Sequence, residues 1–186
     1  MPGPNIEQLT ADPCVTVRRG GPPDQAGGVV IYWMQRAQRA IDNPALETVI
    51  AAANAIDKLV VVNVGLVVGV AGANLRHYQF LVEGLGDVAD DLAHRGVAFV
   101  VRKSPDHDFI RFCVEVRPAL VIGDENPLRA AERTKRQTAA GLRVPFWTVD
   151  ADVIVIRYMS YASTSWKFDS TAYSERMQAL GEERST

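Results

Sequence analysis

The chain has 186 residues, 47% of them apolar and 23% charged, with a formal net charge of −2 at pH 7. That length suits one domain with its own core and is too short for two comfortable ones. The charge excludes a protein that grips nucleic acid through a basic field, because phosphate neutralisation supplies most of such affinity. Cys14 and Cys113 lie far apart with no C-x-x-C spacing and no histidine beside them, which argues against a disulfide framework and a zinc site. No basic-then-apolar leader opens the chain and no apolar run reaches membrane-spanning length, so the expected location is the cytoplasm, with no membrane partner.

Residues 1–28 are rich in proline and glycine with little periodicity, and they read as a flexible lead-in. Within them, residues 14–18 can add a short extended segment. A rhythm then begins. Residues 29–34 (VVIYWM) form a short run of β-formers, as expected for a strand buried on both faces. Asn43-Pro44 marks a helix start, a capping side chain followed by proline at the first helical position, and that helix runs to about Asp57.

Residues 59–64 make the second buried strand, and a glycine-rich apolar turn follows at 65–72. Asn74 opens a long helix with Leu75, Tyr78, Leu81, Leu85, Val88 and Leu92 on one stripe, closed by His94-Arg95-Gly96. Residues 97–101 are the third strand. Ser104-Pro105 starts a helix that ends before Pro118, with Cys113 a small buried hydrophobe in its apolar pattern. Residues 119–122 form the fourth strand, Asn126-Pro127 starts a helix ended by Gly141, and residues 144–149 form the fifth strand.

Strands alternating with helices predict repeated βαβ units: an α/β fold with a parallel sheet and helices on both faces. In such sheets ligands bind beyond the carboxyl ends of the strands, where the strand order reverses. Residues 153–156 can add another extended segment. Beyond them, a Ser/Thr/Tyr-rich stretch without sustained period reads as a linker-like tail over 157–186, leaving an α/β domain over 29–156.

Three loops fall at the ligand-accepting rim: 35–43, 65–74 and 123–126. In the first, Arg36 and Arg39 can hold an anionic group with help from the helix dipole, and Gln35 and Gln38 can read the polar edge of a planar ring. The bland alternative is a solvated connection in which Asp42 and Asn43 only cap the helix. The second loop lacks the lysine and hydroxyl of a phosphate-binding loop and follows the second strand, so an apolar bend is the better reading. In the third, Asp124 and Glu125 can bond ribityl or ribose hydroxyls or a ring N–H, while Asn126 caps the next helix. An acidic first turn is also ordinary dipole complementation.

Asp106-His107-Asp108 cannot converge on a metal if helical, because successive side chains point roughly 100° apart. Arg129, Arg133 and Arg136 share a helical face, with Glu132 four residues before Arg136, and read as a solvated face or a docking surface. Arg76 and His77 carry the same ambiguity. No nucleophile elbow or zincin motif occurs, and no catalytic residue is expected.

Three segments carry a resemblance. Ile31-Tyr32-Trp33-Met34-Gln35, then Gln38-Arg39, then Asp42-Asn43-Pro44-Ala45-Leu46-Glu47 resembles the opening strand, loop and helix of class II cyclobutane-pyrimidine-dimer photolyases. Asn74-Leu75-Arg76-His77-Tyr78-Gln79-Phe80-Leu81-Val82-Glu83-Gly84-Leu85 is similar to the second helix of the same domain. Val149-Asp150-Ala151-Asp152-Val153-Ile154-Val155 resembles its final strand and acidic turn.

The resemblance implies the Rossmann-like, antenna-type N-terminal domain of the photolyase/cryptochrome family, with five parallel strands in the order 3-2-1-4-5. It implies a second chromophore, a deazaflavin or flavin, in contact with Trp33, Met34, Gln35, Arg36, Gln38, Arg39, Asp42 and Asn43. Asp124, Glu125 and Asn126 join them by position only. FAD, the electron-transfer tryptophans and the dimer pocket of the family belong to a larger helical domain. FAD is therefore not expected in this chain, nor light-dependent DNA repair by it alone. The expected partner is a separate FAD-binding helical domain, or a second copy of the chain. Two other readings stay open: a nucleotide- or flavin-binding regulatory module, and a ligand-free remnant that self-associates.

Overall fold

The structure, a computed structural model, describes residues 3–70, 72–103 and 108–151. In chain order it comprises α1 (Ile6–Thr10), β1 (Val15–Arg19), β2 (Val29–Trp33), α2 (Pro44–Ala55), β3 (Leu59–Leu66), α3 (Leu75–His94), β4 (Ala98–Lys103), α4 (Phe109–Val116), β5 (Pro118–Asp124), α5 (Arg129–Gly141) and β6 (Phe146–Val149). The expected residues 153–156 segment, the 157–186 tail, the Ser104-Pro105 helix start and the pair Asp106-His107 lie outside the described residues. Among the described residues no helix is long and apolar enough to cross a membrane.

The six strands form one sheet in the order β1-β6-β5-β2-β3-β4. β2 pairs in parallel with β3 and β5, β3 with β4, and β5 with β6. Those five strands therefore stand in the order 3-2-1-4-5 expected of them, but the sheet is not five-stranded or wholly parallel. β1, from the residues read as a flexible lead-in, adds an antiparallel edge on β6, with Val15 opposite Val149 and Val17 opposite Trp147. Its short run of five residues is only half covered, as edge strands are, so it lacks the continuous apolar run that marks its neighbours.

Strand alternation sends side chains into two cores. Val30, Tyr32, Val62, Val64, Leu120, Ile122 and Trp147 meet Leu46, Val49 and Ala53 of α2 and Leu85, Val88 and Leu92 of α3. On the other face Ile31, Trp33, Val121 and Phe146 meet Phe109, Phe112 and Cys113 of α4, with Leu142 and Val144 after α5. Burial pushes the Cys113 thiol up to about 12, so it behaves as a hydrophobe rather than a nucleophile.

Asn43 caps α2, its side chain accepting from the Leu46 N–H ahead of Pro44, and Asn74 caps α3 in a reciprocal box with His77. The expected apolar stripe of α3 is only partly covered. Leu85, Val88 and Leu92 are buried and Tyr78 and Leu81 half-buried, whereas Leu75 is 81% exposed; Phe80, off the stripe, is 78% exposed. A helix of 20 residues spans about 30 Å, more than β4 can back, so its first turns find no sheet beneath them. Asp108 is the N-cap of α4, its carboxylate accepting from the Ile110 and Arg111 amides. α5 begins at Arg129 rather than at Pro127, and Asn126 instead folds its side chain onto the Leu128 amide.

One glycine is dictated by packing. A Cβ on Gly27 would lie 2.3 Å from the Ala119 backbone nitrogen. The chain enters β2 by crossing the start of β5 there, held by hydrogen bonds from Asp24 N to Ala119 O and from Gly28 N to Arg117 O.

Candidate functional site

The rim at the carboxyl ends of β2 and β5 is built around Asp124. Its Oδ2 accepts three successive backbone N–H groups from Gln35, Arg36 and Ala37 at 2.8, 2.6 and 3.0 Å. Tyr32 Oη donates to its Oδ1 at 2.5 Å. β2 ends at Trp33, so these amides are without strand partners, and the neighbouring carboxylate satisfies them. Burial first, and then the adjacent Asp124 charge, push the Tyr32 hydroxyl far above the usual phenol range.

Asn43 closes the other end of the loop. Its Nδ2 donates to Ala37 O at 2.9 Å and Arg39 O at 2.8 Å while its Oδ1 caps α2. Arg39 donates to Asp42 O at 2.8 Å and to Ala151 O at 3.0 Å, and Asp42 sits at φ 51° on the exposed outer turn. The loop is thus fixed from beneath, with Gln35 and Arg36 exposed and Gln38 half-buried above.

Glu125 belongs to a second, buried cluster. Arg18 of β1 binds both its carboxylate oxygens at 2.8 and 2.7 Å, Lys135 Nζ reaches Oε1 at 2.7 Å, and Thr148 Oγ1 donates to Oε2 at 2.5 Å. Glu132 adds contacts to Arg18 at 2.8 Å and to Lys135 at 3.5 Å. Burial alone would raise the Glu125 carboxyl, but hydrogen bonds from Lys135, Thr148 and Arg18 outweigh it and hold the group at about 2. On α5 the Arg136–Glu132 pair forms as spaced, at 3.3 Å, while Arg129 and Arg133 are exposed.

Between the loop and the helices of the second face lies an open cleft of about 530 Å³. It is lined by Trp33, Met34, Gln35 and Gln38 of the loop, by Gly65 and Val67, and by Asp108, Phe109, Ile110, Thr134 and Thr138 from the two helices and the cap of α4. Trp33 and Phe109 stack at 4.2 Å with planes 8° apart. Asn63 is fully buried on β3, and its Oδ1 has no hydrogen-bond partner among the described residues. A smaller cleft of about 300 Å³, lined by Arg102, Asp108, Arg111, Phe112 and Glu115, shares Asp108 with the larger one.

The structure therefore divides the eleven residues singled out from the sequence. Trp33, Met34, Gln35 and Gln38 line the cleft. Asn43, Asp124 and Glu125 are buried and spend their polar atoms on the protein itself, Arg39 ties the loop to the end of β6, and Asn126 turns onto Leu128 and offers its carbonyl to Lys135. Arg36 and Asp42 stand on the exposed surface of the loop. The sequence reading missed Asn63, Phe109, Thr134 and Thr138. Asn63 alone left a signal, a polar residue interrupting the apolar run of 60–64. Among the described residues no group of three His, Cys, Asp or Glu side chains is placed to hold a metal.

Sequence comparison with known proteins agrees on one family. Residues 30–160 match the DNA photolyase family model. The chain is 37% identical over 137 residues to a deoxyribodipyrimidine photo-lyase of Methanothermobacter thermautotrophicus, covering 73% of this chain and 30% of that protein. It is 30% identical over 115 residues to one of Arabidopsis thaliana, covering 61% and 23%. The chain thus spans less than a third of the curated relatives it matches. A bacterial class III photolyase from Agrobacterium tumefaciens shares the fold, with a TM-score of 0.50 at 16% identity, over 66% of this chain and 26% of that one. This chain belongs to the DNA photolyase family, as its N-terminal α/β domain.

Proposed function

We propose that this domain is the antenna-type module of a class II photolyase, holding a planar second chromophore, a deazaflavin or flavin, in the rim cleft. When bound, that group absorbs light and passes the excitation to an FAD carried by a helical partner domain. The observation that carries the reading is the cleft itself. Its 530 Å³ lies within the roughly 300–1,000 Å³ typical of small-molecule sites. It opens at the carboxyl rim of a doubly wound sheet, and four of its residues come from the segment that resembles class II enzymes.

The chain's own residues supply the site. Asp124 and Asn43 preorganise the loop, Trp33 and Phe109 form an aromatic wall, and Gln35 and Gln38 present amides to a ring edge. The domain contributes no DNA contact in this reading, in keeping with its net charge of −2.

The test is spectroscopic. The purified protein is titrated with deazariboflavin, FMN, FAD and ATP, following absorption and fluorescence. Binding of a flavin or deazaflavin, weakened by Gln35→Ala/Gln38→Ala, is expected. Both glutamines are anchored through their backbone amides and the Gln38 side chain adds only a 3.5 Å bond to Gln35 O, so the truncation leaves the loop in place. Tight ATP binding with no flavin binding would replace this reading with the regulatory-module one, and absence of any binding would overturn both.

A further inference from the structure

We infer that Asn63 sets the ligand specificity of the rim cleft, its Oδ1 accepting a hydrogen bond from a ring-edge N–H of a planar heterocycle, such as the imide of a flavin or deazaflavin. The inference rests on the reading of the cleft as a chromophore site. Asn63 interrupts the apolar centre of β3 and is 0% exposed. Its Oδ1 lacks a donor among the described residues, and its Nδ2 is 3.5 Å from Val100 O. A buried polar atom without a partner costs free energy, and an apolar side chain of like size would avoid that cost.

The neighbouring Val62 and Val64 face the core shared with α2 and α3. Alternation therefore puts Asn63 on the α4 and α5 side, where it pairs in register with Trp33 and with Val100. Two residues towards the rim on that face stands Gly65, and Gly65 and Trp33 both line the cleft. Asn63 lies beneath the cleft rather than on its wall, and Gly65, the next residue of its strand on that face, puts no side chain over it. Trp33 and Phe109, stacked on each other, also border the cleft on this face.

The amide orientation fixes the chemistry. Val100 O is an acceptor, so Nδ2 turns towards it and Oδ1 is left as the acceptor. A phosphate or carboxylate has no proton to offer at that position. An imide N–H does.

The experiment titrates the 186-residue chain with riboflavin and 5-deazariboflavin and with their N3-methylated forms, which carry no imide proton. The wild type should favour the N–H forms by about tenfold, the usual scale for leaving a buried acceptor unpaired. Asn63→Leu should bind both forms alike, near the wild type's affinity for the methylated ring, and should melt no lower than the wild type. Three results would each overturn the inference while leaving the cleft reading intact: flavin binding without discrimination by the wild type, discrimination retained in Asn63→Leu, or a large fall in its melting temperature. Failure of every flavin to bind would remove the cleft reading and this inference together.

Discussion

Replacing Glu125 by glutamine probes the buried cluster that clamps β1 to the rest of the sheet. Glu125 is 4% exposed and held at about 2, against 4.5 for a free glutamate, by Lys135, Thr148 and Arg18. At 1.36 kcal/mol per pH unit, that difference corresponds to about 3 kcal/mol of native-state preference for the ionised form. Because the folded value is depressed, this stability is fully present above pH 4.5 and is lost as pH falls towards 2. About 2 kcal/mol of it should be gone by pH 3, where the unfolded chain is protonated and the native one is not.

Glutamine is close in shape to a protonated glutamate, so Glu125→Gln mimics the acid form at every pH. At pH 7 it leaves Lys135, which is 1% exposed, with Asn126 O and a 3.5 Å contact to Glu132. A buried cation deprived of its main partner costs about 3–5 kcal/mol. Urea unfolding of both proteins from pH 7 to 3 should show a gap of about 3 kcal/mol at neutral pH that narrows steadily below pH 4.5. Glu125→Leu/Lys135→Met should recover most of the loss, since apolar replacement of a buried pair is often neutral or stabilising. A gap of constant size down to pH 3, or none at pH 7, would refute the assignment of the acid response to Glu125.

Two further expectations concern the backbone around the site. Gly27→Ala should destabilise by about 3 kcal/mol in thermal or chemical unfolding, because the new methyl meets the Ala119 backbone at 2.3 Å, whereas Gly28→Ala, with nothing within 4 Å, should cost under about 1 kcal/mol. Asn43→Ala removes an N-cap and two buried bonds to loop carbonyls, and should cost about 2–4 kcal/mol while raising hydrogen exchange in α2 and in residues 35–43.

The central strands were legible because burial on both faces forces an unbroken apolar run, and VVIYW or VVVNV has no other use in a chain of this charge. Helix starts were legible where the cap is chemical, as at Asn43-Pro44 and Asn74. They were less so at Asn126, whose side chain makes a local turn before the helix begins. β1 was legible only as a short extended segment at 14–18, without its place in the sheet, because an edge strand needs no apolar run. What holds it is Arg18 reaching Glu125, 107 residues away, and no local pattern encodes such a pair.

The rim shows why charge and position were insufficient to separate cleft-lining residues from scaffold. Asp124 and Gln35 both stand at strand ends facing the same opening, and by residue type the carboxylate is the better candidate. What decides between them is which backbone amides the fold leaves unpaired. β2 stops at Trp33 while β5 runs one residue further in register, to Asp124. That stagger sets a carboxylate beside three orphan N–H groups, and their desolvation commits it to the protein. The same accounting leaves Asn63 Oδ1 without a donor among the described residues, and under the proposed reading it is such unconsumed groups that meet a ligand.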